Sequence, residues 1–373
     1  MVGVVTAFCA LAPLLACAAA PPPPDRIFVS QAGSGNVAVI DGASGAVQAR
    51  IDVGMLPHQM VLSPDRRTLY VALVGSQAIA EIDVASAKLR RTMLTAPVPQ
   101  RRPDGSVIRA HAAQNAFAHT TCYDCHRAGG AQPKYAGDRP FGLLLSRDGT
   151  RLLVSHVTTG NLSMLELASG RIERTVHLAP AGAAAEPVAL ARLGDEIWVA
   201  LRSPQPSMKP GVLRRLAEAT LLPLRDVPTG ADPASLLPLP DRARVLVTNF
   251  ETDSITEHGP DGAAVRHRVS PGPLGMTALP GGLVLALDYY SNAVSFLDPA
   301  TGTSETVPLQ RDGVRYANPT NAALSSDGRR AFIVTSGTDG HLLQMDLASR
   351  RVVADATIDG LSFGVALVPG TIR

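Results

Sequence analysis

NVAVIDGASG, Asn36 to Gly45, is an alternating apolar run closed by an acidic residue and a Ser-Gly turn. The alternation is that of a β-strand, and an Asp-x-x-Ser/Thr-Gly tail brings the side-chain acceptors and positive φ that a hairpin needs. The unit recurs as AIAEIDVASA from Ala78, NLSMLELASG from Asn161, AVSFLDPATG from Ala293 and HLLQMDLASR from His341. Looser copies are GVLRRLAEAT from Gly211 and DSITEHGPDG from Asp253. Their usual spacing, about forty to forty-five residues, is the length of a four-stranded propeller blade. Each copy follows an apolar strand such as RIFVSQ, TLYVAL, RLLVSH or AFIVTS, and most of these follow a third, such as HQMVLSPDRR, FGLLLSRDGT or TNAALSSDGR. Each blade therefore reads as strands a, b, c and d. The first copy lacks its strand a, and the chain ends in an unpaired LSFGVALVPG. Joining that last strand to the first three closes the ring and leaves no open edge. The expectation is an all-β, seven-bladed β-propeller.

LYVAL and VLVTN on the second strands, and SPDRR and SSDGR in the turns, resemble the YVTN family of seven-bladed propellers. The resemblance covers nearly all the chain after its leader and implies a fold rather than a function, because propellers host binding, structural and enzymatic roles alike. The Trp-Asp signature of the other large propeller group is missing, since Trp198 is the single tryptophan.

A net charge of +2 without a basic block gives no footprint for nucleic acid. The opening MVGVVTAFCALAPLLACAAA is uncharged and apolar, resembling a bacterial export signal over residues 1–17. LLAC resembles a lipobox, which would lipidate Cys17 and leave a lipid anchor as the only membrane attachment. Ordinary cleavage, or an uncleaved leader, are the other readings. A proline-rich linker follows over residues 18–24, and the propeller is expected over 25–373. Loss or lipidation of Cys9 and Cys17 leaves Cys122 and Cys125 as the only ordinary thiols, too few for a disulfide scaffold.

Asp83 and Glu166, two consecutive acidic turns, stand nearly twice the usual distance apart. The excess, residues 98–138, interrupts the connection from the second blade to the third and contains CYDCH. Such a connection emerges on the face where the central channel opens. Cys-x-x-Cys-His is the attachment signature of c-type haem. Resemblance to c-type cytochromes gives Cys122 and Cys125 the thioether bonds and His126 the iron. A disulfide between the two cysteines, or a zinc site completed by His111 or His119, are the alternatives. Candidates for the second axial position are His156, His58, Met208, His119 and His111. Arg127 and Arg109 are candidates for pairing with the haem propionates. The implied protein is an exported mono-haem propeller that exchanges electrons with a periplasmic redox partner or performs redox chemistry. A haem-free binding module, or a lactonase-like or dehydrogenase-like enzyme, is the rival expectation.

Overall fold

The computed structural model describes residues 24–95, 139–179, 185–204 and 207–370. These form seven four-stranded antiparallel sheets in a ring. Blade 1 comprises β1 (Arg26–Gln31), β2 (Asn36–Asp41), β3 (Val47–Asp52) and the C-terminal β30 (Ser362–Val368). Blade 2 runs β4 (Pro57–Leu62), β5 (Thr68–Leu73), β6 (Ala78–Asp83) and β7 (Lys88–Leu94). Blade 3 is β8 (Pro140–Leu145), β9 (Arg151–His156), β10 (Asn161–Glu166) and β11 (Arg171–His177). Blade 4 is β12 (Glu186–Leu193), β13 (Glu196–Arg202), β14 (Pro210–Ala217) and β15 (Pro223–Ala231). Blade 5 is β16 (Pro233–Leu239), β17 (Arg244–Asn249), β18 (Ser254–His258) and β19 (Ala264–Arg268). Blade 6 is β20 (Pro273–Ala278), β21 (Val284–Asp288), β22 (Ala293–Asp298) and β23 (Thr303–Pro308). After a short hairpin, β24 (Gln310–Arg311) with β25 (Val314–Arg315), blade 7 is β26 (Pro319–Leu324), β27 (Arg330–Thr335), β28 (Gly340–Asp346) and β29 (Arg351–Ile358).

Burial explains the strand sequences. Every residue of β5 and β21 is buried, whereas β7 and β23 are almost wholly exposed. A middle strand has a neighbouring blade on each face, so both sets of its alternating side chains must be apolar. In β5, Leu69, Val71 and Leu73 pack toward Phe28 and Val37 of blade 1, while Tyr70 and Ala72 pack toward Leu152 and Val154 of blade 3. The period-2 alternation thus divides each strand between two cores rather than between core and water. The fourth strand forms the rim and is polar.

The recurrent acidic turn works as its composition suggests. Asp41 Oδ1 accepts from the Ser44 amide at 2.8 Å, the Ser44 hydroxyl at 2.9 Å and the Ala43 amide at 3.0 Å, and Gly45 takes φ +73°. Asp83 with Ser86 and Asp346 with Ser349 repeat the contact. The serine amide in each turn holds its aspartate below the usual carboxylate range.

Closure follows the expected pairing, with β30 antiparallel to β1 and Val29 opposite Val365. The buried Ser30 hydroxyl fastens this seam to the next blade: it donates to the His58 carbonyl and accepts from the Gly364 amide, both at 2.7 Å. A Cβ on Gly364 would lie 2.4 Å from the His58 carbonyl oxygen. Gly364→Ala is expected to cost about 1–3 kcal/mol, seen as a lower urea midpoint. Gly33→Ala, whose Cβ would have its nearest neighbour at 3.7 Å, should shift the midpoint little.

Candidate functional site

The innermost strand begins with a proline in five blades, at Pro57, Pro140, Pro233, Pro273 and Pro319, and Pro187 is second in β12. Proline is tolerated at the first residue of a strand because the missing N–H costs no ladder bond there. Immediately after this opening, every innermost strand shows a register shift against its neighbour, as between Pro57 and Met60 or Pro319 and Asn321. Such a bulge redirects side chains. Here two successive residues after the opening border the ring axis, among them His58 with Gln59, Ala234 with Ser235, Thr320 with Asn321, and Phe363 with Gly364.

Together they enclose a cavity of about 80 Å³ at the channel mouth. That is room for several waters or a small ligand. Phe250 and Tyr289, from the turns after β17 and β21, complete its aromatic wall. Strand-a starts and strand b–c turns therefore share one face, as expected from the repeat order. Tyr290 extends the aromatic cluster outward, 4.6 Å from Phe250 and half exposed.

His58 lies between Phe141 and Phe363, with ring centroids at 4.3 and 4.4 Å. Burial, reinforced by the positive charge of Arg202, pushes its imidazole down to about 3, so the ring is neutral at neutral pH. Among the described residues its Nδ1 has no hydrogen-bond partner, and it is sealed from water. Arg202, at the end of β13, is itself buried and paired: Nε meets Glu186 at 2.8 Å and Nη1 meets Asp232 at 3.3 Å. Arg202 and Asp232 both border the cavity.

Behind the rim, the last residues of the second strands form a buried polar layer that includes Gln31, His156, Asn249, Asp288 and Thr335. Asn249 bridges blades by accepting from Thr229 Oγ1 at 2.8 Å and the Gly230 amide at 2.9 Å. Asp288 Oδ2 accepts from Ser295 Oγ at 2.6 Å, and burial pushes its carboxyl up to about 8.

Of the residues singled out by sequence, His58 borders the cavity, as its place at the start of a first strand implied. His156 is wholly buried at the end of β9, opposite Pro140, and is not among the cavity-lining side chains. Met208 is 65% exposed on the loop between β13 and β14. Cys122, Cys125, His126, Arg127, Arg109, His119 and His111 lie outside the described residues. The flanks of their segment are placed: the Thr95 amide bonds to Gln77 in the strand b–c turn of blade 2, and Arg139 precedes Pro140 and Phe141. Both flanks thus lie on the cavity face. Gln59, Ser235, Asn321, Arg202 and Asp232 were not anticipated; the repeated Pro-x-x opening was the signal that could have found the first three.

Among the described residues, no group of three or more His, Cys, Asp or Glu is arranged to hold a metal ion, and no helix is long and apolar enough to cross a membrane. No family pattern and no curated protein sequence matches the chain. Solved structures share its fold. The periplasmic gluconolactonase PpgL of Pseudomonas aeruginosa aligns with a TM-score of 0.65 and 17% identity, over 93% of this chain and 99% of that one. Hydrazine synthase of Kuenenia stuttgartiensis aligns at 0.63 and 13%, over 94% and 99%. The dihydro-heme d1 dehydrogenase NirN aligns at 0.59 and 16%, over 94% and 78%. At these identities the likeness concerns the fold.

Proposed function

We propose that the chain is an exported, YVTN-like propeller carrying one covalent haem c, and that it serves periplasmic electron transfer or redox chemistry at that haem. One observation carries the reading: CYDCH occupies a blade connection whose two flanks lie on the face of the channel cavity. Cys122 and Cys125 would hold the group covalently, His126 would ligate its iron, and Arg109 and Arg127 would pair with its propionates. Haem c, when bound, supplies one-electron chemistry. The cavity, at about 80 Å³, suits a small molecule.

Phe141, Phe363 and Phe250 would limit water on the channel side. His58 fits poorly as a second axial ligand. A metal-bound imidazole almost always donates its other N–H to an acceptor, and among the described residues Nδ1 of His58 has none. His156, Met208, His111 and His119 remain the candidates for that position. The leader resembling an export signal supports a periplasmic setting, with a lipid anchor at Cys17 as its membrane-bound form. Two fold neighbours, hydrazine synthase and the dihydro-heme d1 dehydrogenase NirN, agree with a redox role. The gluconolactonase neighbour agrees with the rival reading of a haem-free enzyme or binding module.

Co-expression with c-type maturation factors, followed by a denaturing gel stained for haem, tests the proposal. The full chain should stain, and Cys122→Ala with Cys125→Ala should abolish the band. An unstained wild-type band would leave the haem-free reading standing. Absorption spectra of His156→Ala, Met208→Leu and His58→Ala should then change for the axial ligand and stay unchanged for His58.

A further inference from the structure

Charged and uncharged groups around the channel cavity differ in their commitments. Arg202 and Asp232 are bound to one another, and Arg202 also holds Glu186. Four uncharged groups are uncommitted among the described residues. Ser235 uses its backbone amide toward Thr248, and Asn321 uses Oδ1 on the Ala322 amide, which leaves the Ser235 hydroxyl and the Asn321 Nδ2 without protein partners. The Gln59 amide has no side-chain partner either, and it borders the same space.

His58 is the fourth, and its surroundings select the tautomer. Orphaned buried N–H groups are rarer in folded proteins than under-satisfied buried acceptors. The sealed and unpartnered Nδ1 is therefore the bare nitrogen, and Nε2 carries the proton. The neutral ring presents an N–H donor, held in place by Phe141 and Phe363.

The position of these groups in the repeat is selective. The residue two after each strand opening is Gly142, Gly275 and Gly364 in three blades, where a Cβ would come within 3.0 Å of atoms in a neighbouring strand. Gln59, Ser235 and Asn321 occupy the equivalent places in blades 2, 5 and 7 and project polar atoms instead. Nothing in the blade framework consumes those atoms.

We infer that the channel mouth is a binding site for a small uncharged molecule bearing hydroxyl or carbonyl oxygens, with His58 donating from Nε2–H and Gln59, Ser235 and Asn321 completing its hydrogen bonds. An anion would face an arginine already engaged by two carboxylates, a cation would face carboxylates already engaged by that arginine, and either would lose its hydration without an uncommitted counter-charge. Phe250 and Tyr289 offer the apolar face against which the carbon skeleton rests. The site requires no haem.

Saturation-transfer NMR on the full chain at neutral pH tests this with glucose, glycerol and acetamide against acetate and methylammonium. At least one uncharged probe should bind, and neither ion should bind as tightly. Asn321→Leu and Ser235→Ala should each weaken that binding by about tenfold. His58→Gln, which keeps an N–H donor, should retain more affinity than His58→Phe. Tighter binding of either ion, no binding of any uncharged probe, or indifference to all the substitutions overturns the inference. The comparison of probes on unaltered protein decides the matter even if a variant fails to fold. The haem stain is a separate readout, so the failure of one proposal is distinguishable from that of the other.

Discussion

Arg202→Met should lower the unfolding free energy by about 3–5 kcal/mol, the usual cost of removing one partner from a buried ion pair. The Arg202 and Asp232 side chains are 6% and 7% exposed, and Glu186 shares the same guanidinium. Methionine fills much of the volume but removes the buried positive charge that Asp232 and Glu186 share in the wall between blades 4 and 5. Asp232 sits between β15 and β16, so the pair fastens two blades at the cavity rim. Urea unfolding at neutral pH measures the loss. Replacing both partners, as Arg202→Met with Asp232→Leu, should recover much of it, because the penalty lies in the unpaired charge. A single variant as stable as the wild type would show that the pair contributes little to blade cohesion.

Asp288 should make the protein less stable as pH rises above neutrality. It ends β21 with no exposed surface; Oδ1 is sealed without a partner among the described residues, and burial raises the carboxyl to about 8. In the unfolded chain an aspartate releases its proton near about pH 4. Between those limits the folded state retains a proton that the unfolded state has lost, so stability falls with increasing pH and levels off above about 8. Two buried histidines act in the opposite direction. Burial lowers His58 to about 3 and His258 to about 4, so stability rises with pH while the unfolded chain's histidines lose protons, a titration centred near about pH 6.5 and complete about one unit higher. The histidine contributions are common to the wild type and Asp288→Asn, so the difference between the two proteins isolates Asp288. From about pH 6.5 to 8 the wild type should lose about 1.6 kcal/mol relative to Asp288→Asn. Urea midpoints across that window decide the matter, and equal slopes in the two proteins would refute the assignment.

These two groups also show where sequence reading stops. Arg202 and Asp288 are terminal residues of second strands, the same repeat position as Gln31 and Asn249. By sequence all are polar residues before a turn. Only the packed ring shows that this position is dry, so that one charge is paired, one carboxyl is kept protonated and one amide bridges blades. His58 was readable as a channel-mouth residue because it begins a first strand. Its two phenylalanine neighbours were not, since Phe141 and Phe363 are far apart in the chain.

By itself the sequence determined the seven blades, their strand order, the closure by the C-terminal strand and the connection that CYDCH interrupts. These are legible because each rests on local rules repeated along the chain: apolar alternation, Asp-x-x-Ser turns and the spacing between them. Tertiary structure decided the cavity and the state of its groups. Its lining is collected from every blade, largely from residues that follow a register shift that local periodicity does not reveal. Whether the residue after such a shift is Gly364 or Asn321 depends on how closely the next blade's backbone approaches, a distance set only when the ring closes.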